Sequence, residues 1–277
     1  MDERVLQAML PFFRERYGNA SSRHEFGRAA RKAVDEAREQ VADAVGAHPS
    51  QVYFVSGGTE ANNLLIKGAA ARLQPSQVAV SAVEHPSVIK PAQELREHGW
   101  KVKKLAVDHD GRIDRDEAAN SLREPTGLVS VMLANNETGV IQDVASLAEL
   151  ARDAGALVHT DAVQALGKVP VNFPALNVHA MTVSAHKIYG PKGVGALILD
   201  KRLDIKPQIT GGEHEKGLRA GTENVPAIVG FGAACALVAT QQATKNIQMR
   251  ERMDKGLHAK GAVQFGNGAD RQPKTSY

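Results

Sequence analysis

The sequence predicts an α/β protein whose central sheet is mostly parallel and covered by helices. Two observations predict this fold. Apolar, β-rich runs alternate with amphipathic helical runs along the chain, a rhythm typical of parallel sheets with helical crossovers. Several strand runs are also almost wholly apolar, as expected for strands buried on both faces. The 277 residues are 43% hydrophobic and 23% charged, which suits one large globular domain and part of another.

The individual elements follow from the pattern of apolar residues. Seven strands are predicted, over residues 51–56, 77–83, 101–107, 127–134, 155–161, 179–185 and 193–200. Helices are predicted over residues 26–47, 60–73, 86–98, 144–154 and 227–239, and from residue 244 onward. A short turn joins the last two strands, so we expect them to form an antiparallel hairpin at one edge of the sheet. The final residues are predicted to be a loop that leads into an incomplete strand.

Composition excludes several classes of protein. The net charge is only +3 and the basic residues are scattered, which does not indicate a nucleic-acid partner. One cysteine, Cys235, permits no internal disulfide and no cysteine-based metal cluster. The charged first residues do not fit a secretory signal, and no apolar run approaches the ~20 residues needed to span a bilayer. We therefore expect a cytoplasmic protein, or one of an organelle matrix if a transit peptide has been lost.

Lys187 is the first candidate for chemistry. It follows the apolar strand that ends in Ser184-Ala185, and ligands of open α/β sheets bind at the carboxyl ends of strands. A lysine amine forms a Schiff base with pyridoxal phosphate, and the neighbouring Ser184 and His186 offer hydrogen bonds to its phosphate. Taken alone, an ordinary surface lysine in a loop is the more common explanation.

Asp161 ends another predicted strand, and Gln164 lies three residues further on. A carboxylate at this edge suits the protonated nitrogen of a pyridine ring, and the amide suits the phenolic oxygen of that ring. The alternative is a helix cap, the usual role of an aspartate after a strand. The pairing of an aspartate and a lysine at two strand ends favours the first interpretation.

Three further segments complete the candidate site. In SGGTEANN (56–63), two glycines precede Thr59 at the start of a helix, where backbone N–H groups favour a phosphate. His85, in EHPSV (84–88), is placed to stack on an aromatic ring and exchange protons with a substrate. Asn136, in ANNETGV (134–140), offers an amide to the cofactor or substrate. By default these segments are a capped helix, a hydrogen-bonded histidine and a turn.

In combination, the motifs resemble those of class V aminotransferase-fold cysteine desulfurases of the NifS/IscS kind. The resemblance runs along essentially the whole chain. Beyond the segments already quoted, it is carried by GNASSRHEFG (18–27), HTDAVQALGKV (159–169), SAHKIYGPKGVGAL (184–197) and GGEHEKGLRAGTENV (211–225). It implies the large domain of the pyridoxal-phosphate-dependent fold type I over residues 1–240. Residues 241–277 would begin a truncated C-terminal small domain.

The resemblance also implies roles for particular residues. Lys187 would carry pyridoxal 5'-phosphate and act in catalysis together with His85, which would stack on the ring. Thr222 would reach the cofactor of the other subunit in a homodimer. The other implied cofactor-binding residues are Asp161 and Gln164 at the ring, Asn136 at the ring or substrate, and Gly58, Thr59, Ser184 and His186 at the phosphate. No metal ligands are implied.

The implied reaction converts L-cysteine to L-alanine and passes sulfur to a cysteine thiolate as a persulfide, for iron–sulfur cluster or thiocofactor assembly. A sulfur-acceptor or scaffold protein would be a partner. Relative to the family pattern we expect the chain to lack a first strand and the loop that carries the acceptor cysteine, so that activity is impaired. Cys235 lies in an apolar helical run and is predicted to be inert. The alternatives are a non-catalytic cofactor-binding or dimerisation module, or another class V aminotransferase or lyase.

Overall fold

The computed structural model describes residues 1–238 and 243–275. Its strands are β1 (Val52–Val55), β2 (Gln77–Ser81), β3 (Lys101–Leu105), β4 (Thr126–Ser130), β5 (Leu157–Asp161), β6 (Ala180–Ser184) and β7 (Gly195–Leu199). Its α-helices are α1 (Glu3–Met9), α2 (Pro11–Arg14), α3 (Glu25–Val45), α4 (Gly58–Ala70), α5 (Pro86–Glu94), α6 (Arg115–Ser121), α7 (Val144–Asp153), α8 (Val225–Val238) and α9 (Ala243–His258). Each predicted strand is present, and each is shorter than its apolar run.

The seven strands form one sheet in the order β1-β7-β6-β5-β4-β2-β3. The pairs β3–β2, β2–β4, β4–β5 and β5–β6 are parallel, which confirms the predicted fold class. Strands β6 and β7 form the predicted antiparallel hairpin. Its predicted place at the edge is wrong, because β1 pairs antiparallel with β7 and covers it. Every residue of β7 is consequently buried, as its apolar sequence requires.

Helices cover both faces of the sheet and enclose two apolar layers. One layer joins α3, α6, α7 and α8 to the sheet, with Val34, Val41, Ile198 and Phe231 at or near zero exposure. The other joins α4 and α5 to the opposite face, around Leu64, Leu65 and Ile66. Helix α3 ends at Gly46, whose φ of 66° is the left-handed conformation that glycine adopts easily.

No bounds were predicted from the sequence for α1, α2 and α6, and the ends of most predicted helices differ from the observed ones by a few residues. Helix α4 begins at Gly58, two residues before the predicted start, because Gly57 takes φ 156° and ψ −178°, a conformation essentially restricted to glycine. The predicted helix 86–98 ends its α-helical part at Glu94 and continues as a 3₁₀ turn over Leu95–His98. The predicted domain boundary near residue 240 lies outside the described residues.

The order of the strands determines where a ligand site can form. From β2 the chain runs outward to β3 and then returns past β2 to β4, so the direction of winding reverses between β2 and β4. Open α/β sheets bind ligands at the carboxyl ends of strands beside such a reversal. The segments after β2, β4, β5 and β6 all leave the sheet at this edge. No helix in residues 1–238 or 243–275 is long and apolar enough to cross a membrane.

Candidate active site

A cavity of about 230 Å³ lies at this carboxyl-terminal edge of the sheet. Most of the predicted site residues meet there, although they come from five separate segments of the chain. The lining residues are Gly58, Thr59, His85, Ser87, Met132, Asn136, Asp161, Val163, Gln164, His186 and Lys187. The predicted residues Ser184 and Thr222 are not among them.

Lys187 reaches the cavity from a short 3₁₀ helix, Ala185–Ile188, that directly follows β6. Tyr189 ends this turn in the left-handed conformation, with φ 64°. The backbone N–H of Asp2 donates to the Tyr189 carbonyl at 2.9 Å and ties the turn to the start of the chain. The side chain of Lys187 is exposed to the cavity, and no described residue pairs with its amine. Its amine is therefore available for a ligand.

Asp161 faces the same cavity from the end of β5 and is 6% exposed. Its Oδ1 accepts the backbone N–H of Val163 at 2.9 Å, and its Oδ2 accepts the side-chain amide of Asn62 at 2.8 Å. Burial raises the pKa of this carboxyl, while the Asn62 and Val163 hydrogen bonds oppose the rise. No lysine or arginine in the described part of the chain forms an ion pair with it. A ligand that brings a positive charge or an N–H donor would complete its environment.

His85 caps the amino end of α5, and its Nδ1 accepts the backbone N–H of Ser87 at 3.1 Å. The Ser87 hydroxyl lies 2.7 Å from the same nitrogen and also accepts a hydrogen bond from Asn62 at 2.9 Å. Asn62 and Ser87 were missed in the sequence. Helical spacing held the signal for Asn62, because it lies three residues after Thr59 on the same face of α4.

The start of α4 forms one wall of the cavity with Gly58 and Thr59. A side chain at position 58 would place its Cβ 2.9 Å from Cγ2 of Val163, so only glycine allows this close approach. The free backbone N–H groups at the helix start favour an anion. His186 also lines the cavity, and burial, followed by Lys187, Lys192 and Lys168, lowers its pKa. Several positive groups thus lie near His186.

The remaining predicted residues take different positions. The amide oxygen of Gln164 accepts a hydrogen bond from Lys168 Nζ, an interaction between neighbouring turns that the sequence did not indicate. Ser184 is buried, and its Oγ lies 2.9 Å from His186 Nδ1, so it contacts the site through His186. Thr222 lies exposed in the loop before α8, outside the cavity. A contribution of Thr222 to another subunit stays a prediction.

Comparison with known proteins places this chain within one family. The sequence-family model of the class-V aminotransferases matches residues 1–276, so the chain belongs to this family. Among its relatives is the cysteine desulfurase IscS of Anaeromyxobacter dehalogenans, which is 44% identical over 265 residues. That match covers 93% of this chain and 66% of the relative's length. This chain therefore spans slightly less than two thirds of that relative.

Solved structures agree with this assignment. A NifS-like protein superposes with a TM-score of 0.94 at 37% identity, over 99% of this chain and 77% of the other. The protein SspA, solved in complex with cysteine, superposes with a TM-score of 0.85 at 32% identity, over 92% of this chain and 75% of the other. The fold is thus the pyridoxal-phosphate-dependent fold type I, and cysteine desulfurases are pyridoxal-phosphate-dependent enzymes.

The residues around the cavity fit this cofactor. The buried carboxylate of Asp161 lacks a positive partner and suits a protonated ring nitrogen. The free amine of Lys187 suits an aldehyde, and the start of α4 suits a phosphate. The residues that meet these three requirements of the cofactor line one cavity.

Proposed function

We propose that the chain binds pyridoxal 5'-phosphate and contributes to a cysteine desulfurase that converts L-cysteine to L-alanine. One observation carries the proposal: the amine of Lys187 and the carboxylate of Asp161 line a single cavity whose wall is the start of α4. The relatives include a cysteine desulfurase and a protein solved in complex with cysteine, which supports cysteine as the substrate.

The residues of the site would have different roles in the reaction. When bound, the cofactor withdraws electrons from Cα of the amino acid and makes its proton acidic. Asp161 holds the ring nitrogen by its charge, and Lys187 holds the cofactor and moves the proton at Cα. His85 would face the ring, and Gln164 and Asn136 would donate to oxygen atoms of the cofactor or substrate. Gly58, Thr59, Ser184 and His186 bind or support the phosphate.

The sulfur atom of the substrate is transferred to an acceptor thiol, so that L-cysteine and the thiol give L-alanine and a persulfide. Cys235 is not that thiol, because it is 2% exposed within α8 and burial raises the pKa of its thiol far above its usual range. It is the one cysteine of the sequence. The acceptor thiol therefore comes from outside these 277 residues.

The proposal extends to partners and location. The chain would act as a homodimer in which Thr222 of each subunit approaches the cofactor of the other, and its exposed loop position is compatible with this. A sulfur-acceptor protein for iron–sulfur cluster or thiocofactor assembly would take the sulfur. A cytoplasmic location suits a chain without cysteine pairs. The large-domain assignment for residues 1–240 belongs to the same proposal.

Visible absorption of the protein after incubation with pyridoxal phosphate and gel filtration tests the cofactor assignment. The wild type should retain a band in the visible range, and Lys187→Ala should lose it. Lys201→Ala is the matched control. Lys201 is exposed and follows the carboxyl end of β7, which lies at the edge of the sheet opposite the cavity. Loss of the band in both variants, or in neither, would contradict the role of Lys187.

Alanine formation from L-cysteine in the presence of excess external thiol tests the reaction. Production of alanine that depends on Lys187 supports desulfuration. A yellow protein that releases no alanine under these conditions would instead be a cofactor-binding module, and a product other than alanine would identify a different class-V reaction.

A further inference from the structure

The tripeptide His-Pro-Ser occurs twice in the chain, at residues 48–50 and 85–87. In both copies the histidine Nδ1 accepts the serine backbone N–H at 3.1 Å and lies 2.7 Å from the serine hydroxyl. A backbone N–H can only donate, so Nδ1 carries a lone pair. A neutral imidazole in this turn therefore carries its hydrogen on Nε2.

Only the second copy is connected to a further buried side chain. Asn62, fully buried in α4, donates one amide hydrogen to Ser87 Oγ and the other to Asp161 Oδ2. Because His85 Nδ1 bears no hydrogen and lies 2.7 Å from Ser87 Oγ, the serine hydroxyl donates to Nδ1, while its oxygen accepts from Asn62. No described residue donates to Ser50 Oγ in the first copy.

These bonds form a chain, His85–Ser87–Asn62–Asp161, in which each hydrogen has a defined place. Reversing the Asn62 amide would set its oxygen against Asp161 Oδ2, and two acceptors repel each other. The amide therefore keeps its orientation although its own Oδ1 is buried without a hydrogen-bond partner. The orientation of one amide thus links the histidine and the aspartate of the cavity.

We propose that Asn62 and Ser87 are positioning residues that hold His85 as a hydrogen-bond donor at Nε2 and Asp161 as an acceptor toward the ligand. Neutral His85 then has no free lone pair, because Nδ1 is occupied by two donors and Nε2 bears hydrogen. Lys187, and not His85, takes up the proton from Cα. This last step rests on the proposed function, whereas the tautomer and the hydrogen-bond chain do not.

Nitrogen NMR of ¹⁵N-histidine-labelled, cofactor-free protein tests the hydrogen-bond chain directly. In the neutral form of each imidazole, His48 and His85 should both show the Nε2–H tautomer. Ser87→Ala should shift the Nδ1 resonance of His85 and leave His48 unchanged, and Ser50→Ala should do the reverse. Asn62→Ala should also shift His85, although no hydrogen bond joins these two residues directly. An Nδ1–H tautomer at His85, or no response to Asn62→Ala, would overturn the proposal.

Cofactor titration tests the consequence for the cavity. Asn62→Asp removes both donors and places a carboxylate against Asp161, so affinity for pyridoxal phosphate should fall by about tenfold or more. Asn62→Ala should weaken binding less, and Ser50→Ala should leave it unchanged. Unchanged affinity in a folded Asn62→Ala protein, judged by circular dichroism, would overturn the positioning role. Failure of the wild type to bind would instead refute the proposed function and leave the NMR result standing.

Discussion

Arg38 and Glu215 form a buried ion pair with two parallel hydrogen bonds of 2.7 Å. Arg38 lies on α3 and also donates to the Val52 carbonyl, while Glu215 accepts the backbone N–H of Phe54 at 2.8 Å. Glu215 takes a left-handed conformation with φ 47°, which costs energy for a residue other than glycine. The pair thus fastens the loop that precedes α8 to the edge strand β1.

Glu215→Gln should destabilise the protein by about 3–5 kcal/mol, because Arg38 would stay buried without its counter-charge. Both carboxylate oxygens of Glu215 accept from donors, so an amide nitrogen in either position would face an N–H group. Urea denaturation measures the loss. Asp204→Asn is the control, since Asp204 pairs with Arg72 on the surface and should matter far less. Equal losses in both variants would contradict the special role of the buried pair.

The buried carboxyl of Glu84 should make the free energy of unfolding depend on pH. Glu84 is buried beside the site, and burial raises the pKa of its carboxyl to about 8 from 4.5. One oxygen accepts from Ser81 at 2.7 Å and from the Met132 backbone at 2.5 Å, while the other has no hydrogen-bond partner. The folded protein therefore binds a proton more tightly than the unfolded chain does. Between pH 4.5 and about 8, ionisation favours unfolding, so stability falls as pH rises.

Glu84→Gln removes this ionisable group and keeps a similar shape. The free energy of unfolding of the wild type, relative to Glu84→Gln, should fall by up to a few kcal/mol between pH 5 and pH 8. Urea titrations of both proteins at several pH values provide the measurement. Parallel stability curves over this range would show that Glu84 does not carry the pH dependence.

The sequence predicted all seven strands and the longer helices, since apolar runs such as β7 have to be buried, but it gave no bounds for α1, α2 and α6. It also placed Lys187 and Asp161 correctly at strand ends, because parallel strands bring their carboxyl ends to one edge. It could not predict that β1 pairs with β7, because such pairing depends on contacts distant in sequence. Helical spacing from Thr59 pointed to Asn62, but its partners Ser87 and Asp161 lie on other segments and could not be predicted.

Gln164 is oriented by Lys168. Lysine only donates hydrogen bonds, so the amide oxygen of Gln164 faces Lys168 and its NH₂ group is available to a ligand oxygen. Burial lowers the pKa of Lys168 to about 8, and nearby Lys187 and Lys274 contribute. Lys168→Met should weaken pyridoxal phosphate binding by about three- to tenfold, while Lys168→Arg should restore most of it. Cofactor titration compares them, and equal affinities of the Met variant and the wild type would exclude this orienting role.

Cys235 should be dispensable for sulfur transfer. Its side chain lies on the buried face of α8, where a thiolate would be strongly disfavoured. Cys235 is also not among the residues that line the cavity. Cys235→Ala should cost about 1 kcal/mol of stability through lost packing, without lowering alanine formation supported by an external thiol. Mass spectrometry after reaction with L-cysteine should find no persulfide on the wild-type chain. A persulfide at Cys235, or loss of alanine formation in the folded variant, would show that this thiol becomes exposed during turnover and that its burial in α8 does not keep it inert.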